Sequence, residues 1–363
     1  MLEQSFDMKK FIKFALILLS AFDLSCNREP TFPGFGRGAI QISGHILHGY
    51  LVTCISFDSR GTAWIGTFKQ GLIRYDGQAT VYHSDNTALP DSAVMWDITV
   101  DKNDVVWIGT DRGLIRFDRE DFTLFTASNS PLAENAVWSL AVGQDNALWL
   151  ASCRFKSGGL MKYDGVHWTL FTPDNSELPF HGVRDVIVDR SNNLWAAVNG
   201  GVGDGRIIKI TGDHWTIFDE KDFGFAPYNF GALAGDAGSD WYASMDYSLS
   251  DSSVMTRPNL LRYDGQNWTV INPVDGEGEP AGEVGRIAVD FFGNVWAVLH
   301  GREGFNLGVF DGRTWIFNDS PIPAGWGSDI AVDPTSGVWL GTGDGVYQAE
   351  LGLKTGRSPE RIQ

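Results

Sequence analysis

The sequence has few cysteines and few basic residues. Three cysteines among 363 residues cannot supply the disulfide framework of a small secreted domain. Lysine and arginine number 28 against 45 acidic residues, and the net charge of −17 excludes wrapping of nucleic acid or docking on anionic lipid, since both need a basic surface. No HExxH, His-x-His or Cys-x-x-Cys spacing occurs, so we predict no metal site and no cofactor. Tryptophan (14) and glycine (43) are abundant instead.

Long hydrophobic runs are also missing. No run reaches the roughly 18 to 20 apolar residues that a membrane-spanning helix needs. Residues 8–21 read MKKFIKFALILLSA, a basic start followed by a short apolar stretch, which is typical of a secretory signal peptide. We therefore predict that residues 1–25 are a signal peptide and that the protein is exported.

The residues that follow suggest a lipid anchor. Residues 23–26 read DLSC and resemble the lipobox of bacterial lipoproteins, whose cysteine, here Cys26, is lipidated. Asp23 departs from that motif, which has an apolar residue at this place, so ordinary export without lipid is the alternative. We expect residues 26–37 to form a lipid-attached or flexible tether. The expected location is the periplasm, the outer membrane or the cell surface, with the lipid as the only membrane contact.

Tryptophan recurs at a regular spacing. Seven segments of the type Val-Trp-Ile-Gly-Thr follow one another at intervals of 42 to 55 residues, close to the 40 to 45 residues of one four-stranded propeller blade. An apolar strand precedes each segment, a Leu-Ile-Arg-Tyr-Asp-Gly type strand follows it, and an aromatic strand comes last. The pattern predicts an all-β fold, a seven-bladed β-propeller of four-stranded antiparallel blades. The blade tryptophans are Trp64, Trp107, Trp149, Trp195, Trp241, Trp296 and Trp339.

The seventh repeat is incomplete. Only a polar tail, residues 352–363, follows its third strand, and an open ring would expose sheet edges that natural proteins avoid. We expect the isolated apolar residues 39–42 to supply the missing strand, so that an N-terminal strand closes the ring. Residues 38–351 then form one domain, expected to be a monomer. The tryptophans are interpreted as core between blades, and the aspartates six residues before them as turn formers.

The segments Trp-Ile-Gly-Thr and Gly-Leu-Ile-Arg-Tyr-Asp resemble the repeats of the two-component regulator propeller family. The resemblance covers about residues 48–351 and weakens in blade five, where residues 235–240 shift the aspartate and a long insertion follows. It implies a sensory or ligand-binding role in the cell envelope.

The candidate site follows from the same alignment. We expect the residues ten and eleven before each blade tryptophan to line the mouth of the axial channel. These two positions vary between blades, whereas the positions nine and seven before the tryptophan are always apolar. We expect a polar ligand with a flat face, such as a glycan, or an envelope protein, to bind there without catalysis. The predicted ligand-binding residues are Trp96, Asp97, Trp138, Arg184, Asp185, Phe230, Arg286 and Asp329 at the channel, with Arg154, Tyr247 and Arg302 in symmetry-breaking loops.

Two alternatives stay open. In the first, the charges pair across blades and the aromatic side chains plug the channel. In the second, the mouth belongs to an enzyme, either a lyase similar to streptogramin lyase or a glycan-acting hydrolase, with His181 or His300 as the base; we favour a protein without catalysis. A catalytic histidine should lie within about 3 Å of a carboxylate or a metal. Cys54 is expected to be a small buried thiol.

Overall fold

The structure is a computed structural model. It describes residues 40–153, 157–201, 203–235, 240–245, 259–274, 281–301, 304–318, 321–322, 327–335 and 337–351. The predicted signal peptide, Cys26, the tether and the polar tail lie outside these residues. No helix in the described part of the chain is long and apolar enough to cross a membrane.

Seven four-stranded antiparallel sheets make up the described residues. The blades are numbered along the chain, and the strands of each blade are given from the axis outward. Blade one contains β2 (Val52–Phe57), β3 (Ala63–Thr67), β4 (Leu72–Tyr75) and β5 (Ala79–Tyr82); blade two contains β6 (Met95–Val100), β7 (Val106–Thr110), β8 (Leu114–Phe117) and β9 (Phe122–Phe125); blade three contains β10 (Ser139–Val142), β11 (Leu148–Ser152), β12 (Gly159–Tyr163) and β13 (Trp168–Phe171); blade four contains β14 (Gly182–Val188), β15 (Leu194–Asn199), β16 (Gly205–Thr211) and β17 (His214–Phe218). Blade five contains β18 (Phe230–Gly235), β19 (Trp241–Met245), β20 (Leu260–Tyr263) and β21 (Trp268–Val270); blade six contains β22 (Glu283–Val289), β23 (Val295–Gly301), β24 (Gly304–Phe310) and β25 (Trp315–Phe317); blade seven contains β26 (Gly327–Val332), β27 (Val338–Thr342), β28 (Gly345–Leu351) and β1 (Ile40–Ile46).

The sheets close into a ring. Each inner strand contacts the inner strand of the next blade, and β26 contacts β2 to complete the cycle. A short helix, α1 (Glu220–Phe223), is inserted between blades four and five. The prediction of a seven-bladed propeller is confirmed.

The ring is closed by the N-terminal strand, as the sequence predicts. Strand β1 pairs antiparallel with β28 from Ile40 opposite Leu351 to Ile46 opposite Val346, with a bulge at Ser43. Ile40 is buried in the core between blades six and seven. The strand is longer than predicted, since it continues four residues past Ile42. The two ends of the propeller domain are therefore joined by one strand pair.

An aspartate–tryptophan contact organises most blades. Asp58 Oδ1 accepts the backbone N–H groups of Arg60 and Thr62, which confirms the predicted turn role. Its Oδ2 accepts the indole N–H of Trp64 at 3.3 Å, a contact that the sequence did not predict. The bond recurs at 2.9 to 3.3 Å in four other pairs, Asp101 with Trp107, Asp189 with Trp195, Asp290 with Trp296 and Asp333 with Trp339. It satisfies the indole N–H groups of tryptophans that pack between blades, which confirms their predicted core role.

Candidate ligand-binding site at the channel mouth

A β-bulge near the start of the inner strand positions the mouth residues. In blade two, Met95 pairs with Thr110 and Asp97 with Gly109, which leaves Trp96 between them without a cross-strand partner. A bulge of this kind re-aims the side chain of the extra residue. The same register shift leaves three other residues unpaired at the equivalent position, namely Thr53, Arg184 and Ser328.

Two of these bulged residues, Trp96 and Arg184, form an ordered stack with Trp138, which directly precedes β10. The rings of Trp96 and Trp138 lie 4.6 Å apart between centroids and are inclined by only 15°. The guanidinium carbon of Arg184 lies 4.9 Å from the ring centroid of Trp138, a cation–π distance. Neighbouring blades two, three and four thus each contribute one layer of the stack.

The stack leaves the mouth open. A cavity of about 320 Å³ lies beside it, so the aromatic side chains do not plug the channel. Nε1 of Trp96 is buried and has no hydrogen-bond partner among the described residues. The cavity is lined by Leu51, Val52, Thr53, Phe68, Trp96, Trp138, Arg184, Arg286 and Ser328.

A second, deeper cavity of about 180 Å³ lies at the level of the residues ten before each tryptophan. Trp96, Trp138 and Arg286 line both cavities, so the two are adjacent. The polar side chains of the deeper cavity are Cys54, Asp97, Ser139, Asp185, Arg286 and Asp329.

The carboxylates of the deeper cavity also join the blades. Asp97 Oδ2 accepts the backbone N–H of Leu140 in the next blade at 2.7 Å. The sequence analysis did not predict this structural role. Its signal is an acidic residue at the same position in blades two, four and seven. The contact recurs at 2.7 Å in two further blade pairs, Asp185 with Leu233 and Asp329 with Ile55.

The deeper cavity places three carboxylates around one guanidinium. Burial raises the pKa of Asp97 to about 7, and the nearby Asp185 carboxylate adds to the rise. Burial also raises the pKa of Asp329 to about 6, although the Arg286 guanidinium opposes it. For Arg286, burial lowers the pKa, but the Asp329, Asp185 and Asp97 carboxylates outweigh burial and the net pKa is raised. A ligand that brings hydrogen-bond donors or positive charge is favoured here, because it offsets the repulsion among the carboxylates.

Cys54 is buried, as predicted, and forms no disulfide with a described residue. Burial raises the pKa of its thiol, and the carboxylates of Asp97 and Asp329 raise it further. The thiolate is the reactive form of cysteine, so Cys54 is unsuited to act as a nucleophile at neutral pH.

Phe230 does not lie at the mouth, and that prediction is wrong. The side chain is fully buried in the core between blades, 5.4 Å from the ring of Phe223. The first hairpin of blade five is two residues shorter than the others: Ala234 pairs with Tyr242, eight residues on, whereas Ile98 pairs with Ile108, ten residues on. Counting eleven back from the tryptophan therefore overshoots the mouth by two positions. The residues of blade five that line the deeper cavity are Ala232 and Leu233.

The two histidines proposed as catalytic bases lie against backbone groups and neighbouring strands. Nδ1 of His181 lies 3.1 Å from the backbone carbonyl oxygen of Gly158. His300 pairs with Glu283 across the sheet, and its Nε2 occupies the space that a side chain at Gly285 would need. The predicted loop residues Arg154, Tyr247 and Arg302 lie outside the described part of the chain.

Comparisons with solved structures support the fold. The extracellular domain of BT4673 from B. thetaiotaomicron, described as a hybrid two component system, is 18% identical, with a TM-score of 0.62 over 86% of this chain and 39% of that one. The corresponding domain of BT3049 is 16% identical, with a TM-score of 0.64 over 90% of this chain and 45% of that one. This chain thus spans less than half of either extracellular domain. At these identities the likeness shows the fold alone.

An enzyme has the same architecture. Virginiamycin B lyase from Staphylococcus aureus, solved with quinupristin, is 15% identical, with a TM-score of 0.65 over 86% of this chain and 99% of the lyase. No curated protein sequence matches the chain. Residues 88–112, which run from the loop before blade two to its second strand, match the family described as Two component regulator propeller. The resemblance inferred from the repeats is therefore confirmed, and this chain is a seven-bladed β-propeller that carries a two-component regulator propeller repeat.

Proposed function

We propose that this protein is an exported, lipid-anchored propeller with a sensory role, which binds a small polar ligand at the channel mouth without catalysis. The observation that carries the proposal is the Trp96–Trp138–Arg184 stack beside an open cavity of about 320 Å³. The family match and the sensor extracellular domains of the same fold favour a sensory role in the envelope.

The chemistry of the two cavities indicates the class of ligand. Aromatic and guanidinium planes suit a molecule with one flat, weakly polar face, as the C–H face of a pyranose ring provides. The buried Nε1 of Trp96 has no acceptor among the described residues. The carboxylates of Asp97 and Asp185 already accept N–H groups of the protein and have lone pairs for further donors. A glycan has hydroxyl groups that both accept and donate hydrogen bonds, so a glycan is the proposed ligand. An envelope protein that inserts a polar side chain into the mouth would use the same groups.

Binding should be tested on a glycan array and then by calorimetry with the best hit. Trp96→Ala removes the outer aromatic plane and its N–H, and Arg184→Ala removes the cation. Each variant should weaken binding by about 10-fold or more, since a stacking or cation–π contact in a desolvated site is worth about 1 to 2 kcal/mol.

Phe292→Ala is the matched control. Phe292 is an exposed aromatic residue in the hairpin after β22, at the end of that strand opposite to the mouth, so its loss should leave binding unchanged. Equal binding by Trp96→Ala, Arg184→Ala and the natural protein would contradict the mouth as the site. An array with no bound glycan would contradict a glycan ligand.

The lipid anchor needs a separate test, because it rests on residues 1–26 of the sequence. Expressed with its leader in a bacterium that processes lipoproteins, the protein should fractionate with membranes, and Cys26→Ser should release it into the soluble exported fraction. A single acyl group binds membranes weakly, whereas the several chains of a lipidated amino terminus bind stably. If the natural protein and Cys26→Ser both stay with the membranes, or if both are released, anchoring through Cys26 is contradicted.

A further inference from the structure

Two histidines and an aspartate meet where the ring closes. His45 lies near the end of β1, His48 lies in the turn between β1 and β2, and Asp344 lies in the hairpin between β27 and β28. One ring nitrogen of each histidine and one carboxylate oxygen of Asp344 all lie within 4.8 Å of one another. The cluster is separate from the channel mouth, since none of its members lines either cavity.

The His45 ring is held in place. It stacks on Tyr347 with centroids 3.9 Å apart and an inclination of 12°, and its centroid is 3.8 Å from that of His48. Its Nε2 lies 2.5 Å from the backbone carbonyl oxygen of Asp344. A carbonyl oxygen can only accept, so Nε2 carries the proton and Nδ1 has the lone pair. Histidines that bind metal commonly donate their other ring N–H to a carbonyl in this way.

The aspartate is held in a similar way. Asp344 Oδ1 accepts the backbone N–H of Gly49 at 2.7 Å, which orients the carboxylate and leaves Oδ2 for another contact. Outer hydrogen bonds to a ligating carboxylate are also typical of metal sites. Two ligand groups of the cluster are thus oriented by backbone groups.

We propose that His45, His48 and Asp344 bind a borderline divalent cation, Zn²⁺ in the first instance. Two imidazole nitrogens and one carboxylate oxygen form a common three-ligand zinc set, with the fourth position left to water. Bonds of about 2.0 to 2.1 Å in a tetrahedron place ligand atoms about 3.3 Å apart. From 4.8 Å the ligand atoms must approach by about 1.5 Å at most, and His48 and Asp344 are exposed side chains that can move.

The ion would strengthen the closure of the ring. His45 and His48 belong to the amino-terminal side of the closure and Asp344 to blade seven. The ion would add to the β1–β28 pair and to the contact of β26 with β2, which also join the two sides. An ion that binds only the closed form stabilises it. At a Zn²⁺ concentration about a hundred times the dissociation constant, the melting temperature should rise by roughly 3 to 5 °C.

The test is a calorimetric titration of ZnCl₂ into the full chain, purified without a polyhistidine tag. We expect one ion per chain, and a loss of affinity of at least 10-fold in His48→Ala. Asp344→Asn keeps an oxygen for the Gly49 N–H but weakens metal binding, so it should show a similar loss. Both variants should have the melting temperature of the natural protein without metal, and neither should show the zinc-dependent rise.

His167→Ala is the matched control. His167 is exposed, and its Nδ1 lies 3.4 Å from Asp164 Oδ2, so it forms a histidine–aspartate pair that no second histidine of the described residues joins. It should bind zinc as the natural protein does. Unchanged affinity in His48→Ala, or an equal loss in His167→Ala, would overturn the proposal. A lower melting temperature of His48→Ala without metal, together with unchanged zinc affinity, would assign the cluster a purely structural role.

Discussion

Removal of the Arg119 guanidinium should weaken the contact between blades one and two. Arg119 follows β8, and its Nη2 donates to Asp58 Oδ2 at 2.8 Å, while its guanidinium carbon lies 5.2 Å from the ring of Trp64. The Asp58 side chain is 0% exposed and that of Arg119 is 23% exposed. Arg119 is the closer of two arginines beside this buried carboxylate, since Arg60 Nη2 lies 3.7 Å from Oδ2. The carboxylate itself holds the hairpin and the indole of its blade.

The magnitude follows from the carboxyl pKa. Burial raises the pKa of Asp58, but the Arg119 guanidinium and the N–H groups of Thr62 and Arg60 outweigh it and lower the pKa from 3.8 to about 2. This lowering corresponds to about 2 kcal/mol of stability, present above about pH 4 and lost as the pH falls towards 2. Arg119→Ala leaves the buried carboxylate with only the more distant and more exposed Arg60 guanidinium, so the expected loss at pH 7 is about 2 kcal/mol.

Urea unfolding at pH 7 and at pH 2 measures the effect. The difference between the natural protein and Arg119→Ala should shrink at pH 2, because the Asp58 carboxyl is then about half protonated in the natural protein and largely protonated in the variant. Arg74→Ala is the control, since the Arg74–Asp76 pair is as short, at 2.6 Å, but its side chains are 32% and 43% exposed, and its loss should stay below about 1 kcal/mol. Equal losses in the two variants, or an Arg119→Ala loss undiminished at pH 2, would refute this reasoning.

Three further predictions concern the closure, the cavity and the core. Ile40→Asp places a charge at a buried position of β1 and should cost about 2 to 4 kcal/mol, seen as a lower urea midpoint; an unchanged midpoint would mean that β1 adds little to the closure. The folded pKa of Asp97 is raised from 3.8 to about 7, so its contribution to stability is greatest below about pH 4 and is lost as the pH rises to 7. The urea midpoint of the natural protein should therefore fall between these pH values, and it should fall less in Asp97→Asn. Parallel pH profiles of the two proteins would contradict this. Gly66→Ala should lower the free energy of unfolding by about 1 to 3 kcal/mol, measured by thermal unfolding, since the added methyl would lie 2.9 Å from Met95 Cβ and closer still to Cys54 Sγ. A variant as stable as the natural protein would show that blades one and two can separate slightly.

Most of the channel residues could be predicted by counting back from the tryptophans. The count succeeds for Trp96, Trp138 and Arg184 because the first hairpin of their blades has the same length, so that one offset meets the same level of the channel each time. It fails for Phe230 because two residues are missing from the hairpin of blade five. The shifted aspartate pattern of residues 235–240 was the available signal, but it did not reveal the size of the shift.

Other features could not be predicted from local sequence, because they join residues distant along the chain. The contact of Asp329 with the N–H of Ile55 spans 274 residues and forms only when blade seven meets blade one. The His45, His48 and Asp344 cluster likewise needs β1 to pair with β28. His45 and His48 are only three residues apart, but the third ligand, Asp344, lies about 300 residues further along the chain.

The sequence by itself determined the number of blades, their strand order, the core tryptophans and the source of the closing strand. These features follow from local periodicity, hairpin residues and the need to cover a sheet edge, all of which lie within about 50 residues of each other or at the chain ends. Only the tertiary structure decided that Trp96, Trp138 and Arg184 stack beside an open cavity and that three carboxylates surround Arg286. Those arrangements depend on the bulges and on the distance between neighbouring blades, and both are set by the packing of the whole ring.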